Sequence, residues 1–181
     1  HMVSSDGWTI VDGGQYCESA PSDHFVITVD TDNFYSVSAD DEFIIPTTGT
    51  GYNYNVDCDN DGTIEAYAQT GDYTCEYPSA GTYTIRIQDN NSDGSGFPRI
   101  YFNNGGDRGK IITIEQWGTI QWSSMAHAFH GCRILAIPAV DTPDLSLVTD
   151  MSYMFAESEF FNTSIGHWDV SNITNLSYMF Y

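Results

Sequence analysis

Asp150-Met151-Ser152-Tyr153-Met154-Phe155 is the stretch that organises this chain. It is echoed upstream by Ser124-Met125-Ala126-His127-Ala128-Phe129 and downstream by Asn175-Leu176-Ser177-Tyr178-Met179-Phe180. The recurring Phe advances by 26 and then 25 residues, from 129 to 155 and from 155 to 180. A second echo lies between them: Leu145-Ser146-Leu147-Val148-Thr149-Asp150-Met151 returns as Val170-Ser171-Asn172-Ile173-Thr174-Asn175-Leu176. A fixed period near 25 is that of a solenoid coil, in which each unit buries its apolar face against the next. The sequence stops inside a repeat at Tyr181, so the expectation is a piece of a longer protein. Three partial coils are marginal alone, and they are expected to take their N-terminal cap from the preceding chain.

Upstream of about residue 120 the texture is different. Short apolar stretches recur between Gly, Asn, Asp and Pro: Phe25–Val29, Phe43–Ile45, Tyr52–Val56, Thr63–Tyr67, Tyr83–Ile87, Ile100–Phe102 and Ile111–Ile114. Several alternate with period two, as half-buried strands do, because successive side chains point to opposite faces. Short strands between turn residues, with no helical stretches among them, predict an antiparallel β-sandwich. The expected organisation is an N-terminal segment (1–22, opening on a His1-Met2 cloning scar), a sandwich (23–120) and truncated repeats (121–181).

Charge narrows the partners. Five Lys and Arg oppose 25 Asp and Glu, a formal net charge of −20. Such a field repels nucleic-acid phosphates and anionic membranes, so nucleic acid is excluded as a partner. No run approaches the roughly 18–20 apolar residues of a membrane span. The acidity reads as solubility in a salty medium or as divalent cation binding. Cys17, Cys58, Cys75 and Cys132 are too dispersed for a zinc pattern; they permit three disulfide pairings and suggest an extracellular chain.

The repeat Met151–Phe155, Phe161-Asn162 and Ile165-Gly166-His167-Trp168-Asp169-Val170-Ser171-Asn172-Ile173-Thr174-Asn175 resembles the BspA-type leucine-rich repeats of bacterial surface proteins. Ile45–Gly49, Tyr52–Asp57, Asp61-Gly62-Thr63 and Gly81–Ile85 resemble a PKD-like domain of the kind that often precedes such repeats. The joining stretch Phe97–Phe102 and Glu115–Trp122 fits as well, so the likeness spans roughly residues 25 to 181. It implies a mainly β protein: a PKD/Ig-like antiparallel sandwich followed by a short leucine-rich-repeat-like solenoid. Where relatives carry Trp and His at two neighbouring core positions, this chain carries Cys58 and Cys75. The resemblance thereby implies a Cys58–Cys75 disulfide, whose loop closure contributes ~3 kcal/mol. Cys17 and Cys132 then either pair or stay reduced.

Two loops carry cation-binding grammar. Asp57-Cys58-Asp59-Asn60-Asp61-Gly62 and Asp89-Asn90-Asn91-Ser92-Asp93-Gly94 place Asp57, Asp59 and Asp61, and Asp89, Asn91 and Asp93, at alternate positions before a turn glycine. Neither is an EF-hand, because the twelfth positions are Ala68 and Ile100 rather than Glu. Each is either a simple Ca²⁺ loop or an ordinary Asx-rich turn. No cofactor is required; Ca²⁺ is the one candidate. His24, His127, His130 and His167 are scattered, and no hydrolase elbow, His-Glu-x-x-His pair or phosphate loop occurs, so no enzyme is expected. His127, His130 and Cys132 fall close together and read as turn residues rather than a zinc set. Tyr153 and Tyr178 occupy equivalent positions one coil apart: facing out, they form a ladder for ligand contact; facing in, they fill the seam between coils.

By resemblance the chain is a secreted or cell-surface bacterial adhesion module whose solenoid binds protein or glycan on another cell. The alternatives are a structural spacer or cap, and an accessory domain of an extracellular carbohydrate-active enzyme. An exposed patch on one solenoid face separates the first from the second.

Overall fold

The structure is a computed structural model in which residues 2–3, 9–10 and 23–181 are described. Among these residues the chain is mainly β and antiparallel in its sheets, with no helix. Strands β1 (Met2–Val3) and β2 (Thr9–Ile10) form a two-residue ladder. Cys17 lies outside the described residues, and with it the question of a Cys17–Cys132 pair.

In the main sheet β3 (Phe25–Asp30) is an interior strand, with apolar partners in register on both sides. Ile27 faces Ile85 of β8 (Thr82–Asp89) and Ile114 of β9 (Ile111–Gln116). Beyond β8 lie β5 (Tyr54–Asp57) and β6 (Ala66–Gln69), giving the order β6-β5-β8-β3-β9. A second, two-stranded sheet pairs β4 (Glu42–Ile45) with β7 (Tyr73–Glu76), setting Phe43 opposite Cys75. Side chains of both sheets, among them Ile27, Ile85, Phe43 and Ile45, meet in one buried cluster.

A disulfide joins Cys58 to Cys75, with Cα atoms 5.7 Å apart. Cys58 directly follows β5 and Cys75 lies on β7, so the bond staples the larger sheet to the smaller one. The Tyr77 hydroxyl, donating to the Cys58 carbonyl at 2.9 Å, closes the same corner.

Two strand expectations need correction, and one strand is unexpected. Ile100–Phe102 is extended chain outside any strand, because its amides serve a different partner described below. Thr63–Tyr67 contributes only its end to β6, since Thr63 belongs to the Asp-rich turn. Tyr73–Glu76 is a strand that alternation does not reveal, because only Cys75 of its four residues is buried.

From Tyr101 onward the backbone winds in successive turns hydrogen-bonded to one another one repeat apart. The amides of Met125, His127, Phe129 and Gly131 donate to the carbonyls of Asp150, Ser152, Met154 and Ala156 at 2.8–3.1 Å. Those of Met151, Tyr153, Phe155 and Glu157 donate to Asn175, Ser177, Met179 and Tyr181 at 2.7–3.0 Å. Isolated parallel bridges, such as Asp150 to Asn175, mark the same register. The segment before the first repeat motif joins this pattern: Phe102 donates to Ala128 and Asn104 to His130. Residues 101–104 thus take the place of a preceding turn.

The core does not break at residue 120. Trp117 is fully buried, with ring centroids 5.7 Å from Phe25 on the main sheet and 5.4 Å from Trp168 in the repeats. Its amide and that of Gly118 donate to the Asp141 carboxylate. Gly118 sits at φ 66, where an added Cβ would fall 2.3 Å from the His24 carbonyl oxygen. Only glycine allows the two parts this approach.

Candidate functional site

Both Asp-rich loops are held by their own first carboxylate. Asp57 ends β5 fully buried and accepts from the amides of Asp61 at 3.2 Å and Gly62 at 3.0 Å. Its second oxygen also meets the Arg86 guanidinium at 2.5 Å. Asp59 accepts from the Asp61 amide, and Asp61 from the Thr63 amide at 2.7 Å. That backbone hydrogen bond, with help from the Thr63 side chain, holds the exposed Asp61 carboxyl below its ordinary value. Among the described residues this is the one group of three metal-capable side chains whose donor atoms lie within 4.8 Å of one another. A hard cation held by Asp59 and Asp61 would share the Asp57 carboxylate with the Arg86 guanidinium.

In the second loop Asp89 accepts from the amides of Asn91, Gly94 and Gly96. Asp93 accepts from the Ser95 amide, and the Asn91 side-chain oxygen from Asn53. Hydrogen bonds from the Ser95 side chain and amide lower the Asp93 carboxyl. The loop also carries load: the Gln121 amide donates to the Gly94 carbonyl, and a Cβ on Gly96 would lie 2.2 Å from Asn53 and Asp89 oxygens. These Asx turns seat the larger sheet on the start of the repeats.

The repeats build two columns of rings. Phe129, Phe155 and Phe180 stack at 5.9 and 5.8 Å, with Phe129 and Phe155 inside the core. The second column runs along the surface. His127 stacks on Tyr153 at 4.7 Å and 6°, and Tyr153 on Tyr178 at 4.9 Å and 19°. Tyr101 adds an edge-on ring 6.0 Å from His127, and the Arg99 guanidinium covers Tyr101 at 4.5 Å. Tyr101, His127 and Tyr153 are half-buried, and Tyr178 is 58% exposed.

Local chemistry explains why this column recurs. The first residue of each motif (Ser124, Asp150 and Asn175) accepts through its side-chain oxygen from the amide two residues on. An i to i+3 bond then closes the turn: Ala128 to Met125, Met154 to Met151 and Met179 to Leu176. His127, Tyr153 and Tyr178 sit inside these turns at φ 56–57, a left-handed conformation that costs a non-glycine residue about 1–2 kcal/mol. The amides of His127 and Tyr153, donating to the Ser152 and Ser177 carbonyls of the following turn, hold those two there.

Tyr153 and Tyr178 therefore stack across the seam and also reach the surface. His127 shares their motif position, so the repeat alignment contained the signal that it belongs to the column. Tyr101 carries no repeat motif, and only the structure brings it in. Cys132 is a fully buried free thiol whose pKa burial raises, and it forms no compact metal-capable set with His127 and His130.

Residues 101–181 match the family model described as "Mycoplasma protein of unknown function, DUF285". The match begins at Tyr101, where the stacked turns begin; it leaves β3 to β8 outside and takes in β9 of the main sheet. Neither the curated proteins nor the solved structures give a match.

Proposed function

We propose that this chain is a secreted or cell-surface bacterial recognition module. A PKD-like sandwich caps a BspA-type, leucine-rich-repeat-like solenoid, which presents the Tyr101–His127–Tyr153–Tyr178 column to a protein or glycan on another cell. The module is non-catalytic. The observation that carries this reading is the surface column itself: equivalent rings, repeated one coil apart, held in a costly backbone conformation with an edge in solvent.

The geometry also narrows the mode of contact. Rings stacked 4.7–4.9 Å apart use their faces on one another. They offer edges and hydroxyls, which suits hydrogen bonding to glycan hydroxyls or a peptide backbone better than stacking on a sugar face. The Cys58–Cys75 disulfide and the net charge of −20 support an extracellular setting. Ca²⁺ at Asp57, Asp59 and Asp61 would act as a stiffener at roughly 10⁻⁴–10⁻³ M, the range of extracellular modules.

Stacking across the seam equally favours a second reading, a spacer whose column only fills space between coils. Probing immobilised glycan and extracellular-protein panels with the fluorescently labelled chain separates the two. The recognition reading expects a reproducible ligand class lost in a Tyr153→Ser/Tyr178→Ser double variant. A panel without hits, or hits indifferent to that variant, leaves the spacer.

A further inference from the structure

We propose that His127 and His130 form an open two-histidine site for a divalent transition-metal ion such as Zn²⁺, with Glu157 as its outer carboxylate. The two Nδ1 atoms stand 3.2 Å apart. Two nitrogen ligands on one tetrahedral zinc, each at ~2.0–2.1 Å, are separated by about 3.3–3.4 Å. The pair is thus already set at ligand spacing.

The surroundings orient it. His130 Nε2 faces a Glu157 carboxylate oxygen at 3.6 Å, and the other oxygen of Glu157 accepts from Asn104 Nδ2 at 3.1 Å. A carboxylate hydrogen-bonded to one imidazole nitrogen keeps the proton there and leaves the other nitrogen's lone pair for a metal; Glu157, just beyond hydrogen-bond distance of Nε2, would complete that outer arrangement by a small side-chain movement. The rings are also locked in place. His127 lies between Tyr101 and Tyr153, and His130 lies 5.7 Å from the Tyr153 ring.

The repeat supplies an independent argument. Positions equivalent to 127 carry Tyr153 and Tyr178, and those equivalent to 130 carry Ala156 and Tyr181. The turn therefore folds without histidine at either place, yet in this one coil both positions are His and converge. No third His, Cys, Asp or Glu among the described residues completes a compact set with them. The remaining coordination positions are open to water or to a donor from a bound partner. The site stands whether or not the column recognises a ligand.

Calorimetric titration of Zn²⁺ into the chain tests this, in a His1→Ala background that removes the terminal imidazole. One ion per chain should bind in the micromolar range. His127→Gln and His130→Gln should each weaken binding at least tenfold, and Glu157→Gln about 10–100-fold. His167→Gln, at an exposed position away from the pair, should leave it unchanged. Cu²⁺ bound to the same background adds a readout independent of how the histidine variants fold: its electron paramagnetic resonance should show two imidazole nitrogens. An oxygen-only spectrum, binding indifferent to the histidine substitutions, or no binding at millimolar Zn²⁺ would overturn the site and leave a simple His–His hydrogen bond.

Discussion

Single residues show how much one carboxylate does in this acidic chain. Asp57 is buried, caps its own loop and neutralises Arg86. Asp57→Ala should cost about 3–5 kcal/mol in denaturant unfolding, because it leaves the Arg86 guanidinium and the Gly62 amide without their acceptor. Asp59→Asn, on an exposed side chain, should leave the melting temperature in EDTA where it is. If Ca²⁺ occupies the loop, millimolar Ca²⁺ raises the wild-type melting temperature but not that of Asp59→Asn. An equal Ca²⁺ response in both would remove the cation reading of Asp57, Asp59 and Asp61. A second residue-scale effect concerns pH. Burial, opposed by Asp23 and reinforced by Arg86, lowers the His24 pKa below its ordinary 6.5. On acidification the unfolded chain then takes up a proton before the folded one does. Stability from this group is complete above pH 6.5 and is lost as pH falls through the folded pKa. His24→Gln should flatten the melting temperature between about pH 7 and pH 5; a slope identical to wild type would contradict the assignment.

Among elements, the repeats were the most legible and the linking segments the least. The Phe129, Phe155 and Phe180 period could be read directly, because each coil needs one large ring at the same place to fill the core. The Asp-rich turns were legible as turns, whereas the sequence left open whether they hold metal. That depends on which amides and guanidinium reach the carboxylates, and Arg86 lies 29 positions from Asp57. Tyr73–Glu76 escaped because its pairing with β4 rests on backbone bonds and one buried cysteine rather than an apolar alternation. Residues 101–104 escaped because an extended segment that starts a stack looks, in sequence, like a short strand. The ring columns also separate in their energetics. Phe155→Ala removes a fully packed ring between two coils and should cost about 3–5 kcal/mol; a loss under about 1 kcal/mol would mean that the inner column does not bear the stack.

Across the whole molecule, one core runs from the main sheet through Trp117 into the repeats, so the sheets and the coils support each other rather than standing as beads. The continuous core fixes the surface column's position against the capping sheets. The same architecture separates two sets of rings: the inner ones pack between the turns, and the outer ones stack along the surface. If the outer column is a recognition surface, as proposed, binding and stability come apart when both are measured in the same proteins. Wild type, Tyr178→Ser and Phe155→Ala would be melted and then tested on the ligand class captured by the panels. Tyr178→Ser should keep a near wild-type melting temperature and lose most of the binding. Phe155→Ala should melt many degrees lower, yet bind while it remains folded. Full binding by Tyr178→Ser at undiminished stability would contradict the claim.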